Sequence, residues 1–201
     1  MNASLFAVFC LAACSVDTHA KSGEQPLFEG KNVTLVSENG STVQAHEMVL
    51  QQDGNGRANT VQAKLQTEAD VDGPPPLEIV AQHSKWDLKT QVVTFTGDVI
   101  AVRGPVTMNC ATLVVEMDEN KQVERAVATG NVELLRGDRV AHGERAVLTT
   151  KTGEVVLSEN PVLVEGPHKM TGDTITLWLD EERVECEACR LVVDGQAVVP
   201  R

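Results

Sequence analysis

The sequence predicts an all-β fold of the sandwich, jelly-roll or solenoid type, and three observations support this. A set of three markers recurs along the second half of the chain. Between the markers, apolar and polar residues alternate in short runs, as in strands with one buried face. No stretch has the apolar spacing of an amphipathic helix. Short strands with turns about every 8–12 residues are typical of these folds.

The three markers move together along the chain. The first is read at 96–99, 129–132 and 158–162, the second at 104–105, 137–138 and 166–167, and the third at Cys110, Gly143 and Gly172. Each is displaced by 33 residues and then by 29. A period of about 30 residues indicates one supersecondary unit that is reused, each unit burying its apolar face against the next. The first two markers are read as turns. Stacked β units of this kind enclose a long apolar interior, which suits a long apolar ligand.

Each unit is predicted to contribute three short strands. They are 99–103, 106–110 and 113–117, then 132–135, 140–142 and 146–149, then 162–165, 168–171 and 174–179, with a further strand at 92–95 before the first unit. Ile175, Leu177 and Leu179 alternate with Thr174, Thr176 and Trp178, which predicts one buried face.

The residues before the repeats predict further strands. Patterns separated by Asn-Gly and Asp-Gly turn signals run over 28–36, 41–50 and 60–66. The acidic stretch 68–76 ends in a Gly-Pro-Pro-Pro run. Because proline breaks the ladder of a sheet, this stretch predicts a domain boundary or a long loop.

Length, composition and charge limit the function classes. The 201 residues allow one extended domain or two small ones, with enough chain to bury a core. Tyrosine is absent and aromatic residues make up only 3% of the chain, so Val, Leu and Ile supply the core and favour strands. The net charge of −12 argues against a nucleic-acid partner, because phosphate binding requires clustered Lys and Arg.

The N-terminus predicts export. Residues 5–13 are apolar but too few to span a bilayer, so they are read as the apolar core of a signal peptide. The run 11–14, Leu-Ala-Ala-Cys, resembles a bacterial lipobox. We therefore predict a signal peptide with lipobox over 1–14, lipidation at Cys14 and a tether over 15–26. The first basic residue is Lys21, so the usual positive N-terminal region is missing. A disordered apolar N-terminus is the alternative.

Two segments of the repeats carry a resemblance to a known family. Residues 86–100 resemble the V-x-F-x-G-N-V run of the LptA/OstA-like periplasmic lipopolysaccharide-transport proteins. Residues 171–177 resemble that family's x-G-D-x-I-x-Y run, with Leu177 where an aromatic residue is common. The similarity covers about 77–193. The front part, 27–65, is similar to the LptC subfamily in its Phe-Glu-Gly start, its Asn-Gly turn and its Ala-x-Glu sequence.

The resemblance implies an open β-jelly roll with a V-shaped hydrophobic interior. Along it, the acyl chains of lipid A would slide from an inner-membrane transporter toward the outer membrane. It also implies an LptC-like β segment over 27–76 and OstA/LptA-like repeats over 77–201. The expected location is the periplasm, with a lipid anchor to the membrane. The expected partners are lipopolysaccharide and other Lpt-type jelly rolls that pair edge to edge.

Seven side chains are predicted to contact lipid because they lie on alternating positions in matched strands. They are Leu77, Ile79, Phe95, Leu134, Leu148, Ile175 and Leu177. Each is equally consistent with a packed core residue. An acyl chain needs only an apolar trough, because burial of each methylene is worth about 0.8 kcal/mol.

The terminal strands near 33–36 and 191–199 are predicted as open edges, which can template pairing with a partner strand. The alternative is that charges and Pro200 protect these edges from aggregation.

The remaining reactive groups do not predict catalysis. Cys186 and Cys189 form a lone C-x-x-C, read as a local disulfide or two free thiols, and Cys110 is read as a small buried hydrophobe. Glutamates on both sides of Cys186 oppose a reactive thiolate. The five histidines are scattered, and no Walker motif is present. We therefore expect no enzyme, catalytic residue, metal or cofactor, and a partner ATPase as the energy source. A scaffolding lipoprotein that binds no lipid, or an unrecognised hydrolase, are the alternatives.

Overall fold

The computed structural model describes residues 26–66, 75–87, 89–193 and 196–198, and these residues form strands and turns without any helix. Fifteen antiparallel strands belong to one sheet. They are β1 (Phe28–Val36), β2 (Thr42–Leu50), β3 (Gly56–Leu65), β4 (Leu77–Asp87), β5 (Val92–Arg103), β6 (Val106–Met117), β7 (Val123–Arg136), β8 (Arg139–Thr149), β9 (Glu154–Ser158), β10 (Val162–Glu165), β11 (His168–Thr171), β12 (Thr174–Trp178), β13 (Val184–Glu187), β14 (Arg190–Val193) and β15 (Gln196–Val198). The predicted all-β open jelly-roll class is confirmed.

The sheet is divided into two layers, and β8 shows where. From β1 to β8 each strand pairs with the next along the chain. Residues 139–142 of β8 then pair with β10, whereas residues 145–149 pair with β9. Layer 1 contains 77–80, 99–103, 106–109, 132–136 and 139–142 together with β10, β11, β14 and β15. Layer 2 contains 83–87, 92–96, 112–117, 123–129 and 145–149 together with β9, β12 and β13.

The layers meet along a line of irregular backbone, called here the fold line. At this line β5 and β7 each carry one extra residue relative to their neighbours. Gly97 and Asp98 in β5, and Gly130 and Asn131 in β7, have φ values of 82°, 46°, 81° and 49°. An extra residue with left-handed backbone bends a strand and increases its twist. A Cβ on Gly130 would lie 2.9 Å from the Cβ of Ala111, so this position also requires glycine for space.

The fold line corrects the prediction that the first marker is a turn. In the first two units this marker is a bulge within a continuous strand: the predicted strands 92–95 and 99–103 are joined in β5, and 132–135 is the end of β7, which begins at Val123. The strands predicted on either side of the third marker are likewise joined, in β6 and β8. Only at 159–161 does the chain break, between β9 and β10. Gly-Asp and Gly-Asn adopt left-handed backbone in turns and in bulges alike, so the residue types alone do not distinguish the two. The second marker is a hairpin turn in all three units.

The first three strands continue the same sheet. Pairing between β3 and β4 runs from Gly56–Trp86 to Leu65–Leu77. Residues 67–74, which contain most of the predicted proline-rich loop, lie outside the described residues. So do residues 1–25, with the predicted signal peptide, the lipidation site Cys14 and most of the tether. The division into segments 27–76 and 77–201 stays a prediction.

The hydrophobic core lies between the two layers. In β4, Leu77, Ile79 and Ala81 are buried, whereas Glu78 and Val80 between them are exposed. Each layer therefore turns one apolar face inward. None of the segments that the structure describes forms a helix able to cross a membrane.

Candidate functional site

The apolar space between the layers, called here the trough, is the candidate site. All seven residues predicted to contact lipid belong to its core or pack against it. Leu77, Ile79, Phe95, Leu134 and Ile175 are buried in the core cluster, and Leu148 and Leu177 are partly buried against it. The alternation pattern therefore placed these side chains in one interior, while their contact with lipid stays a prediction.

Three apolar cavities interrupt the packing of the trough. The N-terminal cavity, of about 130 Å³, separates the ends of β1–β3 from layer 2 and is lined mainly by Leu35, Val36, Val43, Leu65, Trp86, Val93, Phe95 and Met117. The central cavity, of about 30 Å³, is bordered by Leu77, Met108, Leu113, Leu148 and the buried Arg103. The C-terminal cavity, also about 30 Å³, is bordered by Leu135, Ala141, Leu163, Leu177 and three arginines.

The cavities are not equally connected. The central and C-terminal cavities share four lining residues, among them Leu134 and Val155, and so lie side by side. The N-terminal cavity shares none with the central one. Leu65 lines the former, and its cross-strand partner Leu77 lines the latter. Phe95 and Leu113, also directly opposite each other, are divided between the two cavities in the same way. A long occupant must therefore displace side chains at this boundary.

Five of the seven predicted residues border a cavity: Phe95, Leu77, Leu148, Leu134 and Leu177. Ile79 and Ile175 border none of the three, and in this state they are packed core.

Sequence reasoning missed Trp86, which lines the N-terminal cavity. The inward positions of β4 are odd-numbered from Leu77 to Ala81 but even-numbered at Ser84 and Trp86, because the strand crosses the fold line between them. A strict period of two, extended from Leu77, turns Trp86 outward. The only available signal was its position at the start of the segment that resembles the family.

Opposite the fold line, the structure shows two places within the described residues where hairpin tips of the two layers are joined. Near the N-terminal cavity, Asn39 Nδ2 donates a hydrogen bond of 2.7 Å to the Lys121 carbonyl. Beside it, the Val123 amide donates one of 3.0 Å to the Gln66 carbonyl. These contacts close the mouth of the trough at that point.

The second contact, called here the arginine clasp, lies at the C-terminal cavity. Arg136 Nη1 donates to the carbonyls of Trp178 and Glu181, at 3.1 and 2.7 Å. The Glu182 carboxylate lies 3.5 Å from Arg136 Nη2 and 2.9 Å from Arg139 Nη1. Arg139 Nε also pairs with Glu165 at 3.0 Å, and this hydrogen bond is the main cause of the raised pKa of Arg139. No local pattern signalled this clasp.

The three cysteines within the described residues are a disulfide pair and one buried thiol. Cys186 and Cys189 are joined as a disulfide, which links the end of β13 in layer 2 to the residue before β14 in layer 1. Burial raises the pKa of the Cys110 thiol to about 11, so this thiol stays protonated near neutral pH. Within the described ranges, no group of three or more His, Cys, Asp or Glu side chains could hold a metal ion.

The sheet leaves three strands paired on one side only within the described part of the chain: β1, β13 and β15. Residues 33–36, one of the two predicted edges, lie in β1, which is an edge strand. Residues 191–193 lie in β14, which pairs with both β11 and β15 and is therefore not an edge. Pairing of these edges with a partner protein stays a prediction.

Comparison with known proteins finds a matching family and a solved structure with a similar fold. The family model described as LptA/(LptD N-terminal domain) LPS transport protein matches residues 78–183, whereas the LptC-like segment lies outside the match and stays a prediction. The fold is similar to the crystal structure of LptH, the LptA homologous periplasmic component of the lipopolysaccharide transport device of Pseudomonas aeruginosa. That similarity has a TM-score of 0.51 and 19% sequence identity over 55% of this chain and 81% of LptH, and at this identity it shows the fold alone. No curated protein matches the chain. Because the family model covers more than half of the sequence, the chain belongs to the LptA/LptD N-terminal family of lipopolysaccharide transport proteins.

Proposed function

We propose that this protein binds lipopolysaccharide in the periplasm and shields the acyl chains of lipid A on their way to the outer membrane. The observation that carries the proposal is the row of apolar cavities between two layers of a sheet, in a chain of this family. The predicted lining residues belong to one continuous core, so hydrocarbon entering at any cavity meets aliphatic surface.

The N-terminal cavity is the proposed site where an acyl chain first contacts the protein. Its volume of about 130 Å³ is close to that of an engineered apolar cavity of about 150 Å³ that binds benzene. This space holds a short stretch of hydrocarbon without rearrangement. The other two cavities are much smaller, so a full acyl chain requires the aliphatic side chains between them to move. Each buried methylene contributes about 0.8 kcal/mol toward that displacement.

The proposed action is binding and transfer, with no catalytic step. The open sides of β1 and β15 would pair with other Lpt-type jelly rolls and extend the trough, because an unpaired strand edge accepts an added strand. Lipidation at Cys14 would tether the chain to a membrane. Loss of palmitate labelling in a Cys14→Ala variant would support this anchor, and an unlabelled wild-type protein would end it.

Photo-crosslinking tests the lipid site against the alternative, a scaffold that binds no lipid. A photoreactive amino acid is placed at Phe95 or Leu148 and, as a matched control, at Ile100, which is apolar but exposed on the outer face. The proposal predicts lipopolysaccharide adducts from Phe95 and Leu148 and none from Ile100. Folded protein without adducts at either interior position would favour the scaffold.

A further inference from the structure

The arginine clasp contains a pair of like charges held face to face. Arg136 and Arg139 lie directly opposite each other at the tip of the β7–β8 hairpin. Like charges in this arrangement destabilise a strand pair. The Glu182 carboxylate relieves the repulsion, because one oxygen faces Arg136 Nη2 and the other faces Arg139 Nη1. The hairpin tip is therefore a position where one anion bridges two guanidinium groups.

The two arginines are partly buried and have other partners, whereas the Glu182 carboxylate that bridges them is largely exposed. Their side chains are 26% and 20% exposed, whereas that of Glu182 is 77% exposed. Glu165 holds Arg139 through Nε, and two main-chain carbonyls hold Arg136 through Nη1. The remaining guanidinium donors are thus oriented before any ligand arrives, and preorganised donors gain affinity because little freedom is lost on binding.

The clasp lies over an apolar space. Arg136 and Arg139 border the C-terminal cavity, whose other walls include Leu134, Leu163 and Leu177. A charged rim above aliphatic walls fits an amphiphile with an anionic head and a hydrocarbon tail. A phosphate monoester carries more negative charge than a carboxylate near neutral pH and pairs well with the planar guanidinium group.

We propose that Arg136 and Arg139 bind the phosphate of an acylated, phosphorylated amphiphile, which displaces the Glu182 carboxylate while its tail enters the trough. This inference rests on the proposed function, since the tail needs the trough. The hydrogen bonds from Arg136 to the carbonyls of Trp178 and Glu181 do not involve the exchanged anion. The contact between the hairpin tips of the two layers therefore remains when a phosphate replaces the Glu182 carboxylate.

Calorimetric titration of the full chain tests the site with three probes: monododecyl phosphate, dodecyl maltoside with the same tail and an uncharged head, and inorganic phosphate without a tail. The variants are R139Q, which removes one guanidinium, and E182Q, which removes the competing carboxylate of an exposed residue. The matched control is R125Q, which loses the same charge from an exposed pair with Glu116 elsewhere on the sheet.

We expect R139Q to weaken binding of dodecyl phosphate about tenfold, the effect of losing one charge-assisted hydrogen bond. We expect E182Q to tighten it about twofold to fivefold, because an exposed ion pair competes only weakly. Dodecyl maltoside should bind all variants equally, and R125Q should behave as wild type.

Dodecyl phosphate binding that is unchanged in R139Q and E182Q overturns the head-group site, even where dodecyl maltoside binding shows that the trough itself accepts tails. Equally tight binding of inorganic phosphate and dodecyl phosphate would also overturn the head-group site, because the tail would then contribute nothing and the ligand would be a free anion. Wild-type protein that binds neither dodecyl probe contradicts both the head-group site and the proposed function.

Discussion

Leu65 and Leu77 lie directly opposite each other in β3 and β4, and each lines a different cavity of the trough. Both side chains are almost fully buried, at 3% exposure. This cross-strand pair stands between the larger N-terminal cavity and the two smaller cavities beyond it. An acyl chain that passes along the trough must therefore displace side chains at this boundary, which Leu65 and Leu77 share with the Phe95–Leu113 pair.

Truncation of one leucine of this pair should lower the stability of the fold and tighten the binding of a hydrocarbon tail. We expect Leu77→Ala to lower the free energy of unfolding by about 2–5 kcal/mol, the usual effect of deleting a buried leucine side chain. The same change should tighten binding of dodecyl maltoside, because the two cavities then join. Denaturant unfolding and calorimetry measure the two effects. Val80→Ala on the exposed face of β4 is the control, and a destabilised variant whose tail binding is weaker than wild type would contradict the account.

A side chain at Gly130, on the fold line, should destabilise the fold through crowding as well as through its backbone conformation. We expect Gly130→Ala to destabilise more than Gly166→Ala, although both glycines have positive φ. Left-handed backbone alone costs a residue with a Cβ about 1–2 kcal/mol. Only at Gly130 would the added Cβ also meet Ala111, whereas at Gly166 nothing lies within 4 Å. Chemical denaturation of the two variants checks this difference, and equal losses of stability would show that crowding at the bulge is unimportant.

Cys110 should make the protein less stable at alkaline pH. Burial raises the pKa of this thiol from an ordinary value of 9.0 to about 11, so between these values the unfolded chain loses the proton while the folded chain retains it. The unfolded state then binds fewer protons, and the free energy of unfolding falls as pH rises through this window. We expect a shallower decline in Cys110→Ala. Urea unfolding at a series of pH values tests this, and identical slopes in the two proteins would refute the assignment.

The N-terminal mouth should open when its side-chain contact is removed. Asn39→Asp keeps the oxygen that accepts from the Ser41 amide but removes the Nδ2 donor to the Lys121 carbonyl. We expect dodecyl maltoside to associate faster with this variant in stopped-flow measurements. Gln62→Glu, which adds the same charge at an exposed position of β3, is the control. An association rate equal in both variants would show that this contact does not restrict entry.

The sequence predicted the all-β class and the shared interior of the seven apolar residues, because alternation and the repeat report directly on buried strand faces. It did not distinguish a turn from a bulge at Gly97 and Gly130, since left-handed glycine serves both. Trp86 was missed because inward positions change from odd to even across the fold line. The arginine clasp was missed because Arg136 and Trp178 are 42 residues apart, and no local pattern encodes such a pair.

Quenching of Trp86 fluorescence by a brominated tail reports whether hydrocarbon enters the N-terminal cavity. The chain has two tryptophans, so Trp178→Phe leaves Trp86 in the N-terminal cavity as the only reporter. We expect saturable quenching by dodecyl maltoside brominated near the end of its tail, reversed by lipopolysaccharide. A folded protein whose Trp86 is quenched no more than free tryptophan, with no saturation, would contradict this expectation.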